Sequence, residues 1–232
     1  MSLPQLNSEP KFRIKIPSTG KETRFRPFLV KEEKVLLLAM ESKDERQILD
    51  AVGDTIVSCL EEPIDKGKLT SFDIEFLFTK IRSKSVGEVV RVGVECSECK
   101  ESNEIAINVD DIQLPIKNTN MKISITDEYT LEMRWPTLDG IMNMPAESNT
   151  QNMLAMLRIA MVALHTPETR IDFSEYSDEE IEAFIESMNT NQFAMIRDFM
   201  DSMPSLKHEV KFECTSCSHH NDRVLEGMQS FF

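Results

Sequence analysis

Two Cys-x-x-Cys knuckles, Cys96-Ser97-Glu98-Cys99 and Cys214-Thr215-Ser216-Cys217, constrain this chain more than any other feature of its sequence. They use four of the five cysteines and share their surroundings. A shift of 118 positions lays Val92 on Val210, Glu95 on Glu213, Asn103 on Asn221, Glu104 on Asp222 and Ile107 on Leu225. The repeated unit is a hairpin with a knuckle at its turn. Each knuckle sets two sulfurs at the separation a tetrahedral, thiophilic ion needs, so Cys96, Cys99, Cys214 and Cys217 are the candidate ligands of one zinc ion. Four thiolates close the coordination shell, so the expected zinc is structural and not catalytic. Their surplus negative charge calls for nearby donors, for which Lys100, Lys211 and backbone N–H groups are candidates.

The departure from a simple ribbon is the 114 residues between the knuckles, where ribbon signatures leave roughly 15–20. Either a subdomain is inserted between the halves or the halves do not meet. Three rivals stand beside zinc. Two disulfides would suit an oxidising compartment, against which the sequence shows no charged-then-apolar leader. A redox dithiol caps a helix, whereas both knuckles follow strand-like runs at 91–95 and 209–213. His219 or His220 can replace a sulfur, but neither has a counterpart near Cys99.

With 232 residues and 41% hydrophobic content, the chain can bury a sizeable core. Its longest apolar run, residues 35–40, is far too short to span a membrane. A net charge of −14 disfavours nucleic-acid backbones. Cys59 falls on the apolar stripe of a helix pattern and reads as a small core residue. Phosphate-cradling glycine loops, nucleophile elbows and the His-Glu-x-x-His motif are absent from the sequence. None of the four histidines sits in a nucleophile–base pattern, so no enzyme is expected.

The expected fold is α+β. Residues 11–16 and 22–29 read as an N-terminal β-hairpin around the turn at 17–21, and residues 31–41 as a helix with Glu32 and Glu33 in its first turn. Ser42-Lys43-Asp44-Glu45 matches a capping box for a second helix with Ile48, Val52, Ile56 and Cys59 on one stripe. A third begins at Thr70 and stops at Gly87. Strands are predicted at 104–109, 121–125 and 129–135, and helices from Asn149 through Leu164, after the Ser177-x-x-Glu180 box, and around Phe193, Ile196, Phe199 and Met200. Asp178-Glu179-Glu180 reads as the solvated first turn of its helix. Nine of the 14 methionines fall between residues 142 and 203, in a Met-rich C-terminal half that serves as core packing or as a partner groove. No Gly/Ser/Pro tract marks a boundary. The expected organisation is a hairpin and helical region over 1–87, a discontinuous zinc-ribbon-like module from 88–113 and 206–232, and an inserted strand and helical region over 114–205.

The stretch Thr23-Arg24-Phe25-Arg26-Pro27-Phe28-Leu29-Val30-Lys31-Glu32-Glu33-Lys34-Val35-Leu36-Leu37, followed by Met40-Glu41-Ser42-Lys43, resembles the N-terminal signature of the baseplate hub subunit family of T-even-type tailed phages. Leu3-Pro4-x-Leu6, Ile16-Pro17-Ser18-Thr19 and the ending Leu225-Glu226-Gly227-Met228-x-Ser230-Phe231-Phe232 are similar to the same group, so the resemblance covers the chain. It implies a non-catalytic structural or assembly protein of the contractile-tail baseplate hub, with other baseplate and tail hub proteins as partners. It also implies assembly in the host cytoplasm and a place in the virion tail. It implies no catalytic residues, and zinc rests on the cysteine spacing alone. The other function open to such a chain is a zinc-ribbon regulator or nucleic-acid-binding module, which would need a basic face. For an interaction protein, Phe25-Arg26-Pro27-Phe28 and Phe231-Phe232 are candidate contact points, with core packing as the equal alternative.

Overall fold

Alternating apolar residues form the first hairpin of the computed structural model, which describes residues 10–116, 120–144 and 149–231. Strand β1 (Phe12–Lys15) pairs antiparallel with β2 (Glu22–Phe25), Phe12 opposite Phe25, and buries Ile14, Ile16, Thr23 and Phe25. Helices α1 (Val30–Ser42), α2 (Glu45–Cys59) and α3 (Ser71–Ser85) follow, packed in sequence. Val52, Ile56 and Cys59 are buried as the stripe requires. Ser42, however, does not cap α2. Its hydroxyl donates to Ala39 O (2.6 Å) within α1, and after left-handed Lys43 it is Asp44 that accepts the N–H groups of Arg46 and Gln47. Thr70 caps α3 in a box with the fully buried Asp73, whose carboxylate also accepts the N–H of Ser18 (2.9 Å) and so fastens the first turn to this helix. Past Gly87 come β3 (Val89–Glu95) and β4 (Ser102–Asn108).

Within the Phe25-Arg26-Pro27-Phe28 corner only Phe25 is buried, while Arg26, Pro27 and Phe28 are half-buried. The Arg26 guanidinium donates to Glu32 Oε1 (2.8 Å), Pro27 O (2.9 Å) and Ser58 O (3.1 Å). The other Glu32 oxygen accepts the N–H of Leu29 (2.8 Å) at the start of α1. Burial pushes the Glu32 carboxyl up, but Arg26, the Leu29 N–H and Lys31 outweigh it and hold it at about 2 against an ordinary 4.5. A carboxylate depressed on folding stabilises above its unfolded pKa and loses that contribution as pH falls through the folded one. Glu32→Gln is therefore expected to cost about 3 kcal/mol near neutral pH. In urea titrations of both proteins, the gap should narrow as pH drops from 4.5 towards 2. A gap independent of pH would mean that the charge contributes nothing.

The chain then leaves this first compact unit, to which the described residues up to Pro115 and from Ser205 belong, and builds a second from residues 116–204. Here β5 (Lys122–Ser124), β6 (Thr130–Met133), α4 (Leu138–Met142), α5 (Asn149–Ala160), β7 (Met161–His165), β8 (Arg170–Asp172), α6 (Asp178–Glu186) and α7 (Thr190–Asp201) follow in order. The strands form one antiparallel sheet ordered β5-β6-β7-β8. The helix expected through Leu164 ends at Ala160: Leu164 pairs with Leu131 and Ile171 on its two sides, and two ladders of hydrogen bonds outweigh helix continuation. The Ser177–Glu180 box opens α6 as expected, and Asn189 and Gln192 form a second one for α7. Trp135 stacks on Phe199 with centroids 4.3 Å apart. Of the nine methionines only Met161 is buried, Met153 and Met195 are exposed, and the other six are partly covered.

Returning to the first unit, β9 (Lys207–Glu213) and β10 (His220–Glu226) make the second knuckle hairpin. The whole is an α+β fold.

Candidate metal centre

The two knuckle hairpins match bond for bond. Glu95 pairs with Ser102 beside the first knuckle, and Glu213 with His220 beside the second. In the first turn the Cys96 N–H donates to Glu101 O (2.9 Å) and the Lys100 N–H to Cys96 O (3.2 Å). In the second, Cys214 N–H donates to His219 O (2.9 Å) and Ser218 N–H to Cys214 O (2.9 Å). Lys100 and Ser218 both take the left-handed conformation, at φ 62° and 59°. This fold of the chain brings both sulfurs of each knuckle to one side, as a chelating turn must.

The halves meet. The four sulfurs of Cys96, Cys99, Cys214 and Cys217 lie within 4.8 Å of one another, with Cys96 to Cys217 at 3.7 Å and Cys99 to Cys214 at 3.6 Å. Metal–sulfur bonds of about 2.3 Å in a tetrahedron place sulfurs about 3.8 Å apart, so the cluster has the dimensions of a four-thiolate site and can bind a metal ion. All four cysteines are free, and these distances are far from the roughly 2.05 Å of a disulfide. His219 and His220 do not join the cluster; His219 gives its carbonyl to Cys214 and to Asn221.

The side-chain donors to the sulfurs are two asparagines, not the two lysines, and the backbone contributes as expected, with the Ser216 N–H donating to Cys214 Sγ (3.4 Å). Asn221, on the second hairpin, accepts from Ser97 N–H (2.9 Å) and Oγ–H (3.0 Å) and donates to Cys96 Sγ (3.5 Å), all on the first. Asn103 returns the arrangement: it accepts from Thr215 N–H (2.9 Å) and Oγ1–H (3.0 Å) and donates to Cys214 Sγ (3.7 Å). Each hairpin thus clasps the other's knuckle. Both asparagines are buried. Lys211 instead pairs with Asp222 across its own hairpin (3.2 Å), and the Lys100 N–H closes the turn on Cys96 O and not on a sulfur. Sequence comparison aligns Asn103 with Asn221 but does not show that each amide reaches across the repeat. The matching hydroxyls of Ser97 and Thr215 at the same offset are the missed signal.

Electrostatics split the four thiols into two kinds. The N–H groups of Cys99 and Glu98, with the Asn221 amide, lower the Cys96 thiol to about 6, and the N–H groups of Cys217 and Ser216 lower Cys214. The N–H of His219 favours ionised Cys217, yet the neighbouring sulfurs and burial win and push it up to about 12; the N–H of Glu101 and the Cys217 sulfur favour ionised Cys99, yet burial and the sulfurs of Cys214 and Cys96 raise it. Like charges this close do not ionise together, and a divalent cation among them reverses that balance.

Beneath the site, Val90, Val92, Val94, Ile107, Val109, Ile112, Leu206, Val210 and Phe231 form one core shared by both hairpins. Phe231 is 1% exposed and belongs to this core; Phe232 lies outside the described residues.

Fold and site define an α+β protein whose sequence-distant hairpins close around a candidate metal centre. The chain matches the family model described as T4 bacteriophage base plate protein over residues 9–232, and it belongs to that family. It is thus a baseplate protein of the T4-type phage tail, a role that implies contacts with other tail proteins. No curated protein and no solved structure matches it. Among the described residues, no helix is long and apolar enough to cross a membrane.

Proposed function

We propose that this protein is a non-catalytic component or assembly factor of the baseplate hub, and that Cys96, Cys99, Cys214 and Cys217 hold one structural zinc ion. The observation that carries the metal assignment is the convergence of four sulfurs within 4.8 Å, each knuckle held by the other hairpin's asparagine. With four thiolates as ligands, zinc would have no open position for substrate, and its contribution would be folding energy. The ribbon, formed from residues 88–113 and 206–232, would then act as a module that closes the chain on both sides of the inserted region. The hub assignment rests on the resemblance of residues 23–43. Assembly would take place in the host cytoplasm before the protein enters the tail.

Affinity capture of the tagged protein from infected cells tests the hub reading. Hub and tail-tube components should be recovered; recovery of peripheral baseplate components alone would overturn it. Elemental analysis of protein purified without added metal should find one zinc per chain, and a substoichiometric result would overturn the zinc reading.

A further inference from the structure

Helix α1 carries an outward face that its own fold does not use. Glu32, Leu36 and Ala39 turn inward, whereas Val30 (78% exposed), Leu37 (55%) and Leu38 (56%) stand in solvent. At 100° per residue Val30, Lys34, Leu37, Leu38 and Glu41 share an arc of about 100°, opposite the inward residues. Val35 and Met40, both exposed, flank this stripe on its two sides. Lys34 and Glu41 have no ion pair among the described residues.

The stripe is complementary to itself. A two-fold axis through the point midway between Leu37 and Leu38 would set Leu37 level with Leu38 of a second copy and Lys34 against Glu41, each pair occurring twice, with Val35 and Met40 left at the margins. Parallel pairing would instead oppose Lys34 to Lys34 and Glu41 to Glu41, which like-charge repulsion disfavours. We propose that α1 is a self-association surface, where two copies of this chain pair antiparallel through Leu37 and Leu38 with Lys34–Glu41 bridges on either side. A helix of 13 residues is about 20 Å long, so the seam falls among the smaller specific interfaces and the pairing is reversible with concentration.

Sedimentation velocity from about 1 µM to about 500 µM should show a monomer–dimer equilibrium. Leu37→Asp with Leu38→Asp should abolish it with the far-UV spectrum and melting temperature retained, because both positions are exposed. The orientation is read by charge exchange. Lys34→Glu and Glu41→Lys, each alone, place like charges opposite each other twice and should weaken the dimer about tenfold. The double exchange should restore it, and mixing the two single variants should yield a heterodimer tighter than either homodimer. A wild-type chain that stays monomeric throughout overturns the proposal. So does a dimer that survives the aspartates, or one whose strength ignores the charge exchange.

Discussion

If the four cysteines hold the proposed zinc, stripping it at neutral pH is expected to melt the paired knuckle hairpins, and with them the core that they share. A two-stranded hairpin is marginal in water, and the two here are separate sheets joined through the site, the asparagine clasps and the apolar residues below. Structural zinc contributes an apparent ~10–16 kcal/mol in small metal-dependent folds, comparable with the whole stability of a typical domain at ~5–15 kcal/mol. Even partial loss should lower the melting temperature by more than about 10 °C. Circular dichroism with and without chelator, alongside a colorimetric assay of released metal, measures both sides of this linkage. Cys99→Ser and Cys217→Ser should reproduce the chelated state. Asn221→Asp should be intermediate, because it exchanges the amide donor to Cys96 for a carboxylate beside thiolates; loss of such an outer partner weakens metal binding about 10–100-fold. An unchanged melting curve in chelator would show that apolar packing and the two clasps hold the hairpins unaided.

How far the fold could be read from the sequence depended on whether a signal was local. The knuckles, the alternation in β1, the helix start at Thr70 and the box at Ser177 lie within a few residues of the structure they form, and each appears as read. The convergence of the cysteines was legible as well, because the 118-residue offset repeats a whole hairpin and four sulfurs have one economical arrangement around an ion. What failed depended on distant partners. Residues 161–165 satisfy a helical apolar pattern as well as a strand, and only β6 and β8 on either side decide between them. Ser42 and Asp44 are both acceptable caps, and the choice turns on where α1 stops. The asparagines were visible as repeat markers, but an amide beside a turn ordinarily bonds its own chain, so their reach across the repeat had no local signature. The same limit applies to Arg26: in sequence its aromatic motif suits a contact surface and core packing equally, and in the fold its guanidinium reaches Glu32 of α1 and Ser58 near the end of α2.

Truncation of Phe231 to alanine is expected to destabilise the first unit by about 3–5 kcal/mol, the range for a buried phenylalanine whose cavity cannot fully collapse. The ring is 1% exposed and lies in a core drawn from both hairpins, with Val92 and Ile107 from one and Val210 from the other. The backbone holds it there: left-handed Gly227 (φ 75°) donates its N–H to Leu206 O (2.9 Å), and the Phe231 N–H closes a turn on Met228 O (3.0 Å). A surface contact would behave differently, since truncating an exposed aromatic changes partner binding and leaves the melting curve nearly in place. Urea denaturation of Phe231→Ala and Phe231→Leu separates the two cases. Leucine should recover most of the loss if packed volume is what counts. Because the ring lies under both hairpins, Phe231→Ala should also weaken binding of the proposed zinc, as ordering the four sulfurs around an ion draws on the same packing. Metal affinity that stays unchanged in a destabilised Phe231→Ala variant would separate the site from its core and assign the geometry of the sulfurs to the asparagine clasps alone.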